Sequence, residues 1–202
     1  MINDRTKALI KASALAARPE FSHLLREHLH AVKKNGDANY GELYEAFLQL
    51  YLFAGFPAAL EAVRALRNVW GDERYSLHEE MNYEHFKERG TSLYKRVYAK
   101  NAQHVRDEML ALSPELAEWA LIEGYGKTLS RPGLDEKTRE LCIVAILTQL
   151  SWKRQLFSHI LGAHNVGAER EEITDAIIIG AMGDDKKQLA AEQLLQKTTY
   201  SA

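Results

Sequence analysis

The sequence predicts an all-α fold, and three observations carry that expectation. Long stretches place apolar residues at helical spacing, and no stretch sustains period-two alternation. The 4 prolines and 12 glycines punctuate those stretches. The 202 residues are 46% hydrophobic and 27% charged, enough apolar chain to bury a core without disulfide or metal staples. A formal charge of -2 gives no general attraction for phosphate backbones or anionic lipid, so neither nucleic acid nor membrane is an expected partner. The N-terminal stretch is interrupted by Asp4 and Lys11, and the uncharged run Ala46 to Leu60 is too short and broken to span a bilayer. With one cysteine, Cys142, no intrachain disulfide is possible, and the cytoplasm is the default compartment.

Asp4 is expected to cap a first helix running to about Ala17, with Leu9, Ala12, Leu15 and Ala16 on one stripe. A second helix follows Pro19, presents Phe21, Leu25, Leu29 and Val32, and stops at Asn35-Gly36. A third runs from about Gly41 to Phe53. Gly55-Phe56-Pro57 breaks it and starts a fourth with Leu60, Val63 and Leu66 inward. Asn68 to Ser76 reads as a loop, and polar Leu77 to Gly90 as a short helix at most. Thr91 to Ala111 is helical in pattern, marked by Leu93, Val97, Val105, Met109 and Leu110. Ser113-Pro114-Glu115 starts another helix, with a hydroxyl cap, a first-turn proline and an acid at the positive dipole end. That helix is expected to end at Gly124, before a loop through Tyr125, Gly126, Arg131, Pro132 and Gly133. Asp135 caps the most apolar helix, Glu136 to about Leu150, whose Leu141, Ile143, Val144, Ile146 and Leu147 cover most of its circumference. After a turn near Ser151 come a helix through Trp152, Leu156, Ile160 and Ala163 to Gly167, then Glu169 to Met182 and Lys186 to Lys197.

An internal echo organises these elements. Thr6-Lys7-Ala8-Leu9 parallels Thr138-Arg139-Glu140-Leu141, and Leu25-x-x-His28-Leu29 parallels Leu156-x-x-His159-Ile160. Both histidines are followed eight residues later by glycine, Gly36 and Gly167, and Glu42-Leu43-x-Glu45-Ala46 parallels Glu172-Ile173-x-Asp175-Ala176. The expected organisation is two diverged tandem repeats: 1–71, a connecting segment 72–113, and 114–202.

Glu140 lies eleven residues before Ser151 and His159 eight after it. At about 1.5 Å rise per residue, an antiparallel hairpin brings them within about one turn of the same level. A carboxylate beside an imidazole is a general acid/base pair, because the acid sets the tautomer and raises the ring's basicity. The same spacing also suits a structural ion pair stitching the hairpin.

The run Leu129-Ser130-Arg131-Pro132-Gly133-Leu134-Asp135-x-Lys137-Thr138-Arg139-Glu140-Leu141 resembles the carboxymuconolactone decarboxylase family. So do Gln155-Leu156-x-Ser158-His159-Ile160-x-Gly162-Ala163-x-x-x-Gly167 and Glu171-Glu172-Ile173-x-Asp175-Ala176. Tyr51-x-x-Ala54-Gly55-Phe56-Pro57-Ala58-Ala59-Leu60 is similar to that family's closing segment. The resemblance covers Pro114 to Ile179, more weakly Thr6 to Leu66, and implies an alkylhydroperoxidase-like helical bundle. It also implies one of two chemistries. One branch removes carbon dioxide from a carboxylated lactone. The other reduces peroxides with a Glu…Cys-x-x-Cys-x-x-x-His arrangement, whose cysteine positions here hold Trp152 and Gln155. Without thiolates that redox reading is disfavoured. Cys142 stands about 200° around the helix from Glu140 and reads as a small buried hydrophobe.

What the resemblance leaves is cofactor-free acid/base chemistry on a small carboxylate, with His159 as proton carrier and Glu140 as its orienting partner. Arg131, Arg139 and Lys153 are candidate carboxylate binders; for Arg139 and Lys153 an ordinary surface charge is an equal reading. Gln155 joins them as a candidate substrate contact, and a non-catalytic binding or assembly module of the same fold is the alternative. The first repeat carries Ala8 where the second has Glu140, so only the second half can hold the pair. No metal is expected: His28 and His30 point to opposite sides of a helix, and His23 adds no third ligand. His164 reads as a surface histidine at a helix end. Gly126-Lys127-Thr128 lacks the leading glycine and strand of a phosphate loop, and Tyr94-Lys95-Arg96 with Lys100 is a solvated basic face. The excess apolar surface, and the rings that family members form, lead to an expected homo-oligomer.

Overall fold

A computed structural model describes residues 1–77 and 82–198, and every described element is helical. Eleven α-helices follow in order: α1 Asp4–Ala16, α2 Ser22–Asn35, α3 Tyr40–Leu48, α4 Leu50–Trp70, α5 Tyr83–Tyr98, α6 Ala102–Leu112, α7 Pro114–Trp119, α8 Glu136–Leu150, α9 Lys153–Asn165, α10 Arg170–Ala181 and α11 Asp185–Thr198. A π-helical segment, Ala120–Leu129, continues α7. Among the described residues no single helix is long and apolar enough to cross a membrane.

The architecture is arranged around α8. From Thr138 to Gln149 every residue of it is buried, with α10, α9, α1 and α4 packed about it. An unbroken run of burial explains why its sequence shows no amphipathic stripe. α10 makes the closest approach: a Cβ on Gly180 would stand 2.6 Å from the Ala145 carbonyl oxygen and 2.7 Å from its Cα. One continuous core contains Leu9, Leu15, Leu29 and Phe47 from the N-terminal half together with Ile143, Ile146, Ile160 and Ile177 from the C-terminal half.

Several local expectations give way to the coordinates. Asn3, not Asp4, caps α1, its side chain accepting from the Thr6 N–H at 2.8 Å. α3 and α4 stand at 113° to one another. Gly55 (φ 84°, ψ 164°) is a non-helical break within α4, where the glycine-proline pair is expected to interrupt the chain, and Pro57 falls in the first turn after it. That phase leaves Leu60 exposed, while Ala59, Ala62 and Leu66 face inward. Tyr83–Tyr98 is a full helix where the polar sequence promised little, because Phe86, Gly90, Leu93, Tyr94 and Val97 form a buried stripe; residues 78–81 lie outside the described residues. Ala99 (φ 46°) breaks the single helix expected over Thr91 to Ala111 into α5 and α6. The first part of the loop expected after Gly124 is instead the π-helical segment, whose Gly126 lies against the Phe86 backbone where a Cβ would clash at 2.0 Å, while Arg131, Pro132 and Gly133 stand in a loop as expected.

Residues matched by the internal echo make matching contacts. Asn3 caps α1 as Asp135 caps α8, each through the N–H three residues on. Glu42 and Glu172 close the capping boxes of α3 and α10 and take ion pairs from Arg5 at 2.5 Å and Lys137 at 3.0 Å. His28 Nε2 donates to the Ala8 carbonyl at 2.9 Å, and His159 reaches residue 140, the counterpart of Ala8. A tandem duplication is our proposal for this correspondence.

Gly180→Ala tests the α8–α10 contact. The Ala145 backbone cannot retreat as a side chain would, so overpacking of about 1–3 kcal/mol should outweigh the roughly 1 kcal/mol gained in helix propensity. Urea unfolding should show a lower midpoint than the parent; an unchanged or raised midpoint contradicts this packing.

Candidate functional site

Ser151, in the left-handed region (φ 62°), closes α8 and reverses the chain into α9. This antiparallel hairpin puts His159 Nδ1 2.8 Å from Glu140 Oε2, with both side chains almost fully buried at 8% and 4% exposure. An ionised carboxylate only accepts, so Nδ1 carries the shared proton and Nε2 is the nitrogen left for chemistry. Phe53 of α4 stands edge-on to the imidazole, 5.3 Å between centroids at 88°, so the N-terminal half holds the ring in place. Gly162 explains how the carboxylate fits over α9: a Cβ there would lie 3.0 Å from Glu140 Oε2 and 2.8 Å from Val97 Cγ1.

His159 lines a cavity of about 410 Å³ between α9 and the α6–α7 pair. Val105, Met109, Leu112 and Leu116 give it apolar walls, and Ser113, Arg154, Gln155 and Ser158 supply polar groups. At its edge Arg154 pairs with Glu108 at 3.1 Å. A neighbouring groove of about 570 Å³ shares Tyr98, Val105, Glu108, Arg154 and Ser158 with it. Gln155 therefore stands with His159, Lys153 lies in the adjoining groove, and Arg131 and Arg139 line neither.

The two arginines serve a different centre. Glu45 of α3, wholly buried, accepts from Arg131 Nη2 at 2.9 Å and from Arg139 Nη2 at 2.8 Å. Arg139 also donates to the Leu134 and Arg131 carbonyls at 3.1 Å each. Burial pulls its guanidinium below the ordinary value, while Glu45 acts to keep it protonated. Gly133 leaves room for this centre, since a Cβ there would meet Tyr75 Oη at 2.2 Å and Glu45 Cγ at 2.7 Å.

Sequence reading missed the tyrosines behind Glu140. Tyr125 Oη donates to Tyr98 Oη at 2.9 Å, and Tyr94 packs against both rings. Burial pushes the Tyr98 hydroxyl up to about 12 and that of Tyr125 well above its ordinary value, with the charge of Glu140 adding to both. These phenols stay neutral beside the carboxylate. Cys142 is fully buried and its thiol is raised by burial to about 12, so it supplies no thiolate. Among the described residues no group of three His, Cys, Asp or Glu side chains could hold a metal ion. Val105 and Met109 of this wall were visible in a helical stripe and Leu112 was not, and nothing in the sequence said that the stripe faces His159.

Two comparisons bear on this geometry. Residues 114–197 match the model of the carboxymuconolactone decarboxylase family. Over 174 residues the chain is 28% identical to "Peroxisomal protein 2" of Schizosaccharomyces pombe, covering 84% of this chain and 79% of that protein.

Glu45→Gln leaves two buried guanidinium groups short of their counter-charge. Urea unfolding should show a loss of about 3–5 kcal/mol, and a loss below about 1 kcal/mol contradicts a buried ionic centre. The tyrosines give a pH test. The unfolded chain releases phenolic protons near pH 10, whereas folded Tyr98 holds its proton to about 12. Stability contributed by the neutral phenol is therefore complete below pH 10 and is lost as pH rises towards 12. Tyr98→Phe should flatten the decline of the melting temperature across that window; an identical slope counts against this assignment.

Proposed function

We propose, from the match of residues 114–197 to the carboxymuconolactone decarboxylase family, that the chain is a cofactor-free acid/base enzyme acting on a small carboxylated substrate in the His159 cavity. The observation that carries this reading is the 2.8 Å Glu140–His159 bond beside a cavity lined by the same imidazole. A purely structural ion pair needs no cavity at its second nitrogen.

In the proposed reaction the substrate loses carbon dioxide from a carbon next to a carbonyl. The electron pair of the breaking C–C bond passes into the carbonyl as an enolate. Imidazolium Nε2–H of His159 then donates its proton to the carbon left behind, and water restores the proton. Glu140 holds the ring's orientation through Nδ1. Gln155 and Arg154 are the polar groups suited to a carboxylate or a developing oxyanion there. The apolar wall of Met109, Leu112 and Leu116 favours a step that discharges an anion into neutral carbon dioxide. Arg131 and Arg139, satisfied by Glu45, are assigned to holding the fold, and Lys153 to the outer groove.

Exposed Leu112, Leu116, Trp119 and Trp152 support self-association of the chain beside this cavity. The single buried thiol suits a reducing compartment, and the relative's name attaches that protein to the peroxisome.

Turnover of carboxymuconolactone and simple β-keto acids, followed by ultraviolet absorbance and carbon dioxide release, tests the proposal. His159→Gln should reduce kcat by about 10²–10⁴-fold and Glu140→Gln by a smaller factor, with substrate affinity largely kept. Turnover that persists in His159→Gln, or is absent from the parent with every carboxylated substrate offered, overturns it.

A further inference from the structure

A second cavity, of about 450 Å³, lies on the far side of the core between the α1–α2 junction and α4. It contains none of the residues of the His159 cavity. Its floor is built from Ala16, Ala54, Ala58, Ala62 and Ala65, with Leu15 and Leu25 beside them. Side chains this small leave a volume that a leucine-rich floor would have filled. Around the rim stand Arg18, Arg26 and Arg64, with Glu61 as the opposing acid in the lining.

The charges there are unevenly satisfied. Glu61 is already engaged with Arg64 at 3.4 Å, and Arg26 makes no ion pair among the described residues. Arg18 is the informative one. Its Nε is buried without a hydrogen-bond partner, Nη2 has only a 3.4 Å contact to the Gln149 carbonyl, and Nη1 lies 3.8 Å from Glu20. Gln149 is buried as well, and its Nε2 is a second unpartnered donor. Its other terminal atom, Oε1, accepts from Lys187. The Lys187 ammonium is pulled below its ordinary value first by burial and next by Arg18, opposed by Asp184 and Glu20. Buried donors without acceptors are uncommon in folded proteins and ask for an oxyanion.

From an apolar floor beneath under-satisfied guanidinium groups, we propose that this cavity binds an anionic amphiphile, a short alkyl chain bearing a carboxylate or phosphate head. The head takes its hydrogen bonds from Arg18, reinforced by Arg26, and the chain lies on the alanines of α4. The volume is within the range of small-molecule sites. A cation is excluded by the rim charge, and a bare inorganic anion leaves the apolar floor unused.

Calorimetric titration of the full chain with octanoate, octyl phosphate and octanol tests the site. Octanoate or octyl phosphate should bind more tightly than octanol, and whichever anion binds better identifies the head. The double variant Arg18→Gln/Arg26→Gln should weaken anion binding at least about tenfold with octanol unchanged. Ala58→Phe, a substitution at a half-exposed helical position, should block all three probes while the circular dichroism spectrum is kept. Equal binding of octanol and the two anions, anion binding indifferent to the arginine pair, or no heat from either anion up to about 10 mM overturns the proposal.

Discussion

The constraint on which the molecule depends is the burial of α8 on all its faces. A helix shielded from water from Thr138 to Gln149 cannot leave its polar side chains to solvent, so each must find a partner inside. Thr138 bonds back to its own cap Asp135, Thr148 to the Val144 carbonyl one turn earlier, and Gln149 to Lys187. The two ionisable neighbours, Arg139 and Glu140, diverge by about 100° around the axis and so face different elements. Arg139 reaches back to Glu45 and ties the N-terminal half to the start of α8. Glu140 reaches across the hairpin to His159.

One helix thus carries, on consecutive residues, an ionic centre and the carboxylate of the proposed acid/base pair. The distinction between them comes from what lies beyond each partner. Glu45 is wholly buried among Arg131, Arg139 and Tyr75 over Gly133. His159 has Phe53 on one side and a cavity on another. Neutral Tyr98 and Tyr125 behind Glu140 keep water and competing charge away from the carboxylate. The chemistry therefore depends on side chains from α4, α5, the π-helical segment and α6 as much as on the hairpin itself.

Much of this was legible in the sequence where local rules act alone. The cap Asp135, the burial of α8 on nearly all sides, the turn at Ser151 and the register of Glu140 with His159 all follow from helical geometry and spacing. What was not legible required knowledge of a distant surface. Arg131 and Arg139 look like anion binders in the sequence because their partner, Glu45, is 86 and 94 residues away. The break at Gly55-Phe56-Pro57 was legible, since Gly55 takes a positive φ and Pro57 falls in the first turn after it, whereas the 113° angle between α3 and α4 was not. The segment 72–113, which reads as a connection, contributes Val105, Met109 and Leu112 of α6 to the cavity wall. The first half keeps His28 but pairs it with the Ala8 carbonyl, so an echo in sequence does not become a second acid/base pair.

The central claim is that Glu140 fixes which nitrogen of His159 is presented to the cavity. The most direct measurement is ¹⁵N NMR of protein labelled at histidine, reading the ring nitrogens of His159 beside those of exposed His23 and His30. The expected result is a ring that keeps its proton at Nδ1 and gains or loses one only at Nε2, distinct from the tautomer mixture of the exposed rings. A ring of His159 that holds its single proton at Nε2 and none at Nδ1, or is averaged like its exposed counterparts, would contradict it.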